Sequence, residues 1–303
     1  MIICDYYSEY REKRIVLGLG YFDSVHKGHT HLIREVERMA SELNALPAVF
    51  TFRGNPFEVI GKSQKNIFSF EERVRRLGNI GVELVIGAPA SREFFAMTGD
   101  EFLDTLTRGF DVVGFVSGTD YTYGDHAMNN AESLCRYARA RGIRVETVDL
   151  VEKSGKKIAS RDIRTLLEAG DITAVNELLS EPYSITAPVK SGRHDGQKIG
   201  FPTANMDIDS DTLGIKRGVY SAIALIDGVR YRAITNIGGH PTFGDDRENI
   251  ESFILDFEGD LYGKTITIMP MRYLRDVRRF DTVEELRRVL HDNEMTTRRE
   301  VEL

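Results

Sequence analysis

The pattern of apolar residues changes once along this chain, and that change constrains the fold more than any other feature. Up to about residue 150, short apolar runs at 14–19, 48–52, 84–88, 112–117 and 145–150 alternate with helical patterns at 31–43, 71–80, 100–108 and 131–140. Strands that alternate with helices of this length predict crossover connections and a parallel sheet. The first half is therefore expected to be a doubly wound α/β domain.

A different pattern follows two short helical segments between 160 and 179, which are broken near Gly170-Asp171. Runs rich in β-branched and aromatic residues occupy 183–189, 219–226, 231–236, 252–257 and 265–269, and Asp227-Gly228 is a hairpin signal. One helix is predicted from 283 to 291. Strands without intervening helices predict a small antiparallel β-barrel with a closing helix. We place the boundary near residue 182, which gives domains 1–182 and 183–303.

Length and charge limit what the chain is expected to bind. At 303 residues, two domains are expected. The net charge is −7 and Lys and Arg are spread along the chain, so there is no basic stripe for nucleic acid. No apolar run has the length of a membrane span, and the first residues lack a secretory signal pattern. Cys4 and Cys135 lie far apart and in no metal-ligand spacing, which fits a reducing compartment. We therefore expect a cytoplasmic protein with no nucleic-acid or membrane partner.

The run Gly20-Tyr21-Phe22-Asp23-Ser24-Val25-His26-Lys27-Gly28-His29 lies where the first predicted strand meets the first helix. Doubly wound sheets bind ligands at the carboxyl ends of strands, where a helix N-terminus favours phosphate. His26 and His29 can donate to one anion, and Gly28 lets a phosphate approach the backbone. The alternative is a pair of surface histidines in a turn. The position between strand and helix favours a nucleotide site.

This run resembles the His-x-Gly-His signature of a nucleotidyltransferase superfamily, and specifically the N-terminal module of bacterial bifunctional riboflavin kinase/FAD synthetases. Gly118-Thr119-Asp120-Tyr121-Thr122-Tyr123-Gly124 and residues 158–164 resemble two further motifs of that module. The resemblance implies a Rossmann-like domain that adenylylates FMN, with His26 and His29 as catalytic residues. It also implies that ATP or its phosphates contact Gly20, Phe22, Asp23, Gly28, Ser160 and Arg164. The flavin is expected to contact Asp120 and Tyr123.

Parts of this half depart from the family pattern. Ser24 replaces a glycine, Arg53-Gly54-Asn55 replaces Asp-Pro-His, and Ala159-Ser160-Arg161 replaces Ser-Ser-Thr. The last change removes two hydroxyls that help to hold the nucleotide phosphates, and a guanidinium at position 161 is not an equivalent donor. Adenylyl transfer needs no covalent enzyme intermediate, so this loss weakens phosphate positioning without removing a nucleophile.

The second half contains a glycine-bearing loop, residues 192–200, which continues into Phe201-Pro202-Thr203-Ala204-Asn205. Glycines allow phosphate to approach the backbone, and Thr203 and Asn205 offer hard oxygen ligands suited to Mg²⁺. By itself, Pro202-Thr203-Ala204-Asn205 is more typical of a structural turn. The segments 236–243 and 251–257 follow it in order. Together the three segments favour a functional site over a structural turn.

In this order and spacing, these segments resemble the riboflavin kinase domain over residues 183–292. The resemblance implies that Thr203 and Asn205 ligate Mg²⁺ with ATP and that Glu251 is the base for the ribityl 5′-hydroxyl. It further implies a phosphate-binding loop and flavin contacts, with Gly192, Lys198, Gly200 and Pro202 in the loop and Asn236 and Arg275 at the flavin. One departure is Val277, where the family has a glutamate.

The sequence therefore predicts a bifunctional enzyme. Riboflavin and ATP would give FMN, and FMN with a second ATP would give FAD and pyrophosphate, with Mg²⁺ as cofactor. The altered segments at 53–55 and 159–161 leave a second hypothesis open. In that hypothesis the chain is a riboflavin kinase whose N-terminal half is a catalytically silent nucleotide-binding module.

Overall fold

The computed structural model describes residues 1–149, 152–153, 156–190, 201–207, 211–240 and 245–303. Two compact units emerge from its contacts. The first comprises Met1–Ser160 with Asp211–Leu213, and the second comprises Arg161–Ser210 with Gly214–Leu303. In the described part of the chain, no helix combines the length and the apolar composition needed to cross a bilayer.

The first unit alternates strands and helices. Its strands are β1 (Ile2–Asp5), β2 (Tyr10–Leu19), β3 (Leu46–Phe52), β4 (Leu84–Ala88), β5 (Phe110–Gly118), β6 (Thr122–Tyr123), β7 (Asn129–Asn130), β8 (Arg144–Val148), β9 (Glu152–Lys153) and β10 (Lys156–Lys157). Its helices are α1 (Lys27–Leu43), α2 (Pro56–Val59), α3 (Phe70–Asn79), α4 (Arg92–Phe95), α5 (Gly99–Gly109) and α6 (Ala131–Arg139), with a 3₁₀ turn at Asp125–Ala127.

A six-stranded parallel sheet organises this unit, in the order β1-β4-β3-β2-β5-β8. The chain proceeds from β2 outwards to β3 and β4, and then returns to place β5 on the other side of β2. Consequently the order reverses between β2 and β5, which is where open α/β sheets form their ligand crevice. Alternate residues of β2 supply the two cores: Ile15 and Leu17 pack on one face, and Val16 packs with α1 on the other.

The second unit begins with two helices and continues as antiparallel strands. Its elements are α7 (Ser160–Ala169), whose first residue belongs to the first unit, α8 (Ile172–Leu178), β11 (Ile185–Pro188), β12 (Thr203–Asp207), β13 (Gly218–Ile226), β14 (Val229–His240), β15 (Asp245–Ile254), β16 (Thr265–Arg275) and α9 (Val283–Glu300). The strands run in the order β11-β16-β13-β14-β15-β12. The amide of Lys190, just after β11, donates to the carbonyl of Asn205 on β12 at 2.8 Å, so the sheet is a near-closed barrel.

The predicted fold class is confirmed: a parallel α/β unit followed by an antiparallel barrel with a C-terminal helix. Asp227 and Gly228 both have positive φ (48° and 83°), as the tight hairpin between β13 and β14 requires. The helices at α7 and α8 also form as expected. α8 packs on β16, where Asn176 Nδ2 donates to the carbonyl of Pro270 at 3.0 Å. The boundary predicted from the sequence pattern, near residue 182, comes after these two helices.

Two elements differ from the sequence expectation. The segment that begins at Thr203, expected as a rigid turn, is strand β12, because its backbone pairs with β15 from Thr203 to Asp207. The terminal helix α9 begins at Val283, as expected, and Thr282 is its N-cap, but the helix continues to Glu300 rather than ending near 291. Buried Asn293 and Thr297 lie on its inner face. Because these core positions are polar, the apolar spacing that predicts a helix stops before the helix ends.

Candidate functional sites

A strained turn connects β2 to α1. Phe22 and Val25 have φ of 55° and 43°, a left-handed conformation that bulky and β-branched residues rarely adopt. The buried Asp23 stabilises the turn, since its carboxylate accepts a hydrogen bond from the amide of Ile67 at 2.8 Å. A Cβ at Gly20 would lie 2.8 Å from the Phe22 ring, so position 20 needs glycine. Strain of this kind is concentrated at functional sites.

His26 and His29 form the N-terminal cap of α1. The Nδ1 atom of His26 accepts from the amide of His29 at 3.2 Å, and the Nδ1 atom of His29 accepts from the amide of His26 at 3.3 Å. The two rings are stacked with centroids 3.7 Å apart. This is a reciprocal capping box made by imidazoles. Because each Nδ1 accepts, these hydrogen bonds assign the ring proton to Nε2, which remains as the donor for a ligand.

Both imidazoles are neutral in the folded protein at pH 7. Burial lowers the pKa of His26 to about 4. Burial, together with the neighbouring His26, lowers the pKa of His29 well below its ordinary value. Two neutral rings can stack closely without repulsion, and each still offers one N–H group. The pair therefore acts as a rigid double donor at the start of a helix, where the helix dipole also favours an anion.

A cavity of about 250 Å³ opens beside this cap, at the carboxyl ends of β2, β5 and β8. Many of the residues predicted from the three sequence motifs line it: Gly20, Phe22, His26, Gly28, His29, Asp120 and Ser160. Sequence reasoning missed Tyr121, Asp149 and Lys157, which line it too. Lys157 forms an ion pair with Asp120. Lys157 immediately precedes the motif at 158–164, and that adjacency was the only signal for it in the sequence.

Other predicted residues of this half lie away from the cavity lining. Asp23 is engaged in the turn described above, and Arg164 is buried on α7. Tyr123 lies in the core, where its ring is 5.7 Å from that of Phe102 and its hydroxyl lies 3.2 Å from the Ser133 hydroxyl. The cavity instead receives its neighbour Tyr121. The assignment of Tyr123 and Asp120 to the flavin remains a prediction.

Hydroxyls of Ser24 and Ser160 are joined by a hydrogen bond of 2.9 Å. Ser24 is fully buried in the turn before α1, and Ser160 begins α7. Both positions belong to segments that depart from the family pattern. The contact therefore links the His26–His29 turn to the Ala159-Ser160-Arg161 segment and fixes the Ser160 hydroxyl at the cavity wall.

A fully buried arginine also stabilises the turn between β2 and α1. Arg73 on α3 donates to the carbonyl of Tyr21 at 3.1 Å, to the carbonyl of Phe52 at 2.7 Å and to the hydroxyl of Thr51 at 2.7 Å. It thereby ties together the carboxyl ends of β2 and β3. Sequence reasoning missed it, although an arginine between Phe70 and Leu77 on the apolar stripe of a helix was a detectable signal.

The altered segment at 53–55 has a local structural role. Asn55 is the N-cap of α2, accepting from the amide of Phe57 at 3.0 Å, and its Nδ2 donates to the carbonyl of Gln64 at 2.8 Å. The Arg53 guanidinium lies over the Phe70 ring at 5.0 Å. These residues organise the loop after β3 and do not line the cavity.

In the second unit, the strand register gathers the predicted kinase residues into one row. Asn205 on β12 pairs with Glu251 on β15, and Glu251 pairs with Asn236 on β14. Asn236 pairs with Val219 on β13, which pairs with Arg275 on β16 across a strand that carries bulges. Directly paired residues project from the same face of a sheet. Asn205, Glu251, Asn236 and Val219 therefore share one face across four strands, and we call these four residues the cross-strand row. Arg275 lies opposite Val219 beside a register shift between β13 and β16.

Thr203 stands beside the cross-strand row, two residues before Asn205 on β12. Its hydroxyl donates to the Glu251 carboxylate at 3.4 Å. Pro202, immediately before β12, is exposed. Gly192, Lys198 and Gly200 lie outside the described residues. Among the residues that are described, no three His, Cys, Asp or Glu side chains gather as a metal site.

Two family models match this chain, one in each half. A family model described as FAD synthetase matches residues 8–162, and one described as riboflavin kinase matches residues 179–301. The chain is 31% identical to a bifunctional riboflavin kinase/FMN adenylyltransferase of Listeria monocytogenes, over 96% of this chain and 93% of the relative. It is 28% identical to the protein of that name from Escherichia coli K12, over 96% and 94% of the two chains.

One solved structure is similar along its whole length. It is described as a macrolide-efflux protein from Streptococcus pneumoniae, and it matches with a TM-score of 0.89 and 30% identity over 98% of this chain and 99% of that one. The efflux description belongs to that protein. The likeness extends over both units of the present chain.

Proposed function

Since this chain belongs to the bifunctional riboflavin kinase/FMN adenylyltransferase family, we propose that it converts riboflavin to FMN and FMN to FAD, with each reaction using ATP. The second unit corresponds to the riboflavin kinase region and the first to the FAD synthetase region. The observation that carries the residue assignments is the cross-strand row, which brings Asn205, Glu251 and Asn236 together from three separate sequence motifs.

In the kinase reaction, Glu251 is the proposed base. The ribityl 5′-hydroxyl oxygen would attack the γ-phosphorus of ATP, the bond to the β–γ bridging oxygen would break, and ADP would leave. The proton of the hydroxyl would pass to the Glu251 carboxylate. Support comes from its neighbours: the Thr203 hydroxyl donates to the carboxylate at 3.4 Å, and Asn205 pairs with Glu251 across the strands. Phosphoryl transfer depends mainly on such positioning.

Mg²⁺ is the proposed metal of this site, held by Thr203 and Asn205. A hydroxyl and an amide oxygen are hard donors, and Mg²⁺ commonly takes only one or two protein ligands together with phosphates and water. The residues present therefore fit the ion. When bound with ATP, it would neutralise charge on the transferred phosphoryl group. Gly192, Lys198, Gly200 and Pro202 remain the proposed contacts of the ATP phosphates, and Asn236 and Arg275 the proposed contacts of the flavin.

In the adenylyl transfer, a phosphate oxygen of FMN would attack the α-phosphorus of ATP. The bond between the α-phosphorus and the α–β bridging oxygen would break and pyrophosphate would leave. His26 and His29 would donate their Nε2–H groups to the phosphate oxygens as charge develops on them. Lys157 and Ser160 line the same cavity and would add a cation and a hydroxyl.

The altered 159–161 segment does not remove this donor set. Ser160 lines the cavity, and its hydroxyl is held by Ser24. This contact favours an active FAD synthetase over a silent nucleotide-binding module. We also propose a cytoplasmic location, which the free thiols of Cys4 and Cys135 support because reducing compartments preserve them.

A flavin separation tests the proposal. Purified protein is incubated with FMN, ATP and Mg²⁺, and the products are separated by chromatography with fluorescence detection. The proposal predicts FAD and pyrophosphate in equal amounts. FMN formation from riboflavin without any FAD from FMN would leave only the kinase and establish the alternative of a silent first unit.

A further inference from the structure

Arg73 on α3 is a fully buried cation that does not line the cavity of the first unit. Within the described part of the chain it forms no ion pair, whereas Arg76, equally buried on the same helix, pairs with Glu72 at 2.7 Å. A buried charge without an opposite charge is costly, because hydrogen bonds to neutral groups replace its hydration only in part. The contacts of Arg73 therefore indicate what this cost maintains.

The hydrogen bonds of Arg73 converge on one peptide group. Its Nη1 atom donates to the carbonyl of Tyr21 at 3.1 Å and to the hydroxyl of Thr51 at 2.7 Å. The same Thr51 hydroxyl donates to the Tyr21 carbonyl at 2.6 Å, so that carbonyl accepts two hydrogen bonds. Because a peptide group is planar, these contacts fix the plane between Tyr21 and Phe22. Nη2 donates to the carbonyl of Phe52 at 2.7 Å and anchors the guanidinium to β3.

The Tyr21–Phe22 peptide is the entry to the strained turn. Phe22 has a φ of 55°, a conformation that persists only where the surrounding structure enforces it. The angle φ of Phe22 is measured against this peptide plane, so a fixed plane restrains it directly. On the other side, the Asp23 carboxylate accepts from the amide of Ile67 at 2.8 Å. Two anchors therefore hold the backbone before and after the strained residue.

Phe22 connects this restraint to the proposed catalytic histidines. Its ring lies edge-on to the ring of His29, with centroids 5.1 Å apart. The His29 ring in turn stacks on that of His26 at 3.7 Å. If Phe22 relaxed to an ordinary φ, its ring would leave His29, and the imidazole pair would lose a wall against which it packs. The orientation of the two Nε2–H groups therefore depends on Phe22 and, through it, on Arg73.

An arginine suits this position better than a lysine or a neutral side chain. Its planar fork reaches the Tyr21 and Phe52 carbonyls at fixed angles. The rings of Tyr21 and Phe70 have their centroids 5.1 and 5.7 Å from the guanidinium carbon, and they partly compensate its charge. A lysine would keep the charge but could not hold both carbonyls with one rigid group.

We propose that Arg73 is a positioning residue for adenylyl transfer, which holds the Tyr21–Phe22 peptide so that the Nε2–H groups of His26 and His29 face the substrate phosphates. This inference rests on the proposed FAD synthetase function. The histidine donors act on charge that develops in the transition state. A loss of their orientation should therefore lower the rate of the reaction more than the binding of ATP or FMN.

The test compares matched substitutions at two buried arginines of α3. Arg73→Met removes the donors and keeps much of the volume, and Arg73→Lys keeps the charge. Arg76→Met removes an equally buried guanidinium and leaves Arg75, at 2.8 Å, as the partner of Glu72. For each variant, kcat and the KM values for ATP and FMN are measured in FAD formation, well below the thermal midpoint. The rate of riboflavin phosphorylation is the internal control.

For Arg73→Met, we expect kcat for FAD formation to fall roughly 10²-fold, the effect of a misplaced catalytic group. Both KM values and the kinase rate should stay close to those of the wild type. Arg73→Lys should recover part of the lost rate, because an ammonium group can still donate to one carbonyl. Arg76→Met should lower the thermal midpoint as well, but its kcat should remain near the wild-type value.

The imidazole signals provide a readout that does not require turnover. In ¹H–¹⁵N spectra of the histidine rings, the signals of His26 and His29 are assigned by comparison with His26→Asn and His29→Ala. These two sets of signals should change in Arg73→Met and remain unchanged in Arg76→Met. Such a selective change is not expected if Arg73 contributes only to the stability of the fold.

An unaltered kcat in Arg73→Met, an equal fall in Arg76→Met, or unchanged histidine signals in Arg73→Met would each overturn the inference. If the methionine variant does not fold, Arg73→Lys is judged by the same criteria. A wild-type chain that forms no FAD from FMN would instead contradict the proposed FAD synthetase function, so the two failures are distinguishable.

Discussion

The hydroxyl oxygens of Ser24 and Ser160 lie 2.9 Å apart and join the turn before α1 to the start of α7. Ser24 is fully buried, and its φ lies outside the left-handed region, so the backbone at this position does not demand the glycine that the family pattern has. A departure at position 24 therefore contacts the one serine that the altered 159–161 segment keeps. The hydroxyl introduced at position 24 holds the hydroxyl retained at position 160.

Replacing Ser24 with glycine, the residue of the family pattern, should weaken ATP binding in FAD synthesis. Without its partner the Ser160 hydroxyl loses a fixed orientation, and we expect the KM for ATP to rise roughly two- to tenfold, as for one hydrogen bond. The kinase rate should not change. Steady-state FAD formation measures the effect, with Ser41→Ala, an exposed serine on α1, as the control. An unchanged KM would show that the contact does not position Ser160.

The stacked histidines should be required for FAD formation alone. His29→Ala removes one Nε2–H donor and the cap that orients His26, so we expect FAD formation to fall by about 10²- to 10³-fold. Riboflavin phosphorylation should continue at the wild-type rate. His31→Ala is the matched control, because His31 is exposed on the same helix. A parallel loss of both activities would contradict independent sites.

Stability of the ligand-free protein should depend on the buried histidines below neutral pH. The folded pKa of His26 is about 4 and the ordinary value is 6.5, so the unfolded chain takes up a proton first as the pH falls. The contribution of His26 is therefore fully present above pH 6.5 and is lost progressively as the pH falls towards 4.

His26→Asn preserves an N-cap acceptor and removes that titration. Between pH 7.5 and pH 5.0, the free energy of unfolding of the wild type should fall by roughly 2 kcal/mol more than that of the variant. Urea unfolding followed by circular dichroism at these two pH values measures the difference. Identical pH dependence in both proteins would show that His26 is not held neutral by burial.

Glu251→Gln should reduce kinase turnover with little effect on nucleotide binding. Glutamine preserves the shape and the contact with Thr203 but cannot accept the hydroxyl proton, and loss of a general base costs about 10²- to 10⁴-fold in rate. The measurement is kcat for FMN formation together with the KM for ATP. Glu258→Gln, at an exposed position on the same unit, should behave as the wild type. Near-normal turnover in Glu251→Gln would remove Glu251 from the role of base.

Much of the fold could be predicted from sequence because the burial pattern of strands and helices is periodic. The three motifs around His26, Asp120 and Ser160 are far apart in the chain, yet a parallel sheet necessarily brings its carboxyl strand ends to one edge. The pairing of Asn205, Glu251 and Asn236 could not be predicted, since it depends on register, which tertiary packing fixes.

The roles of buried polar side chains also could not be predicted from the sequence. Arg73 satisfies the carbonyls of Tyr21 and Phe52, but the sequence does not show which carbonyls a core arginine will meet. Asn293 and Thr297 interrupt the apolar pattern of α9, so the helix was expected to end early. In each case the side chain is explained by contacts across the fold rather than by its neighbours in sequence.

The most direct test of the two-site account follows all flavins from riboflavin in one reaction. Wild type, Glu251→Gln and His29→Ala are each incubated with riboflavin, ATP and Mg²⁺, and riboflavin, FMN and FAD are quantified over time. For the wild type, the account predicts FMN followed by FAD, and for His29→Ala it predicts FMN that accumulates without FAD. For Glu251→Gln it predicts little of either product, with FAD formation restored when FMN is added. A wild type that stops at FMN, or a Glu251→Gln variant that cannot use added FMN, would contradict it.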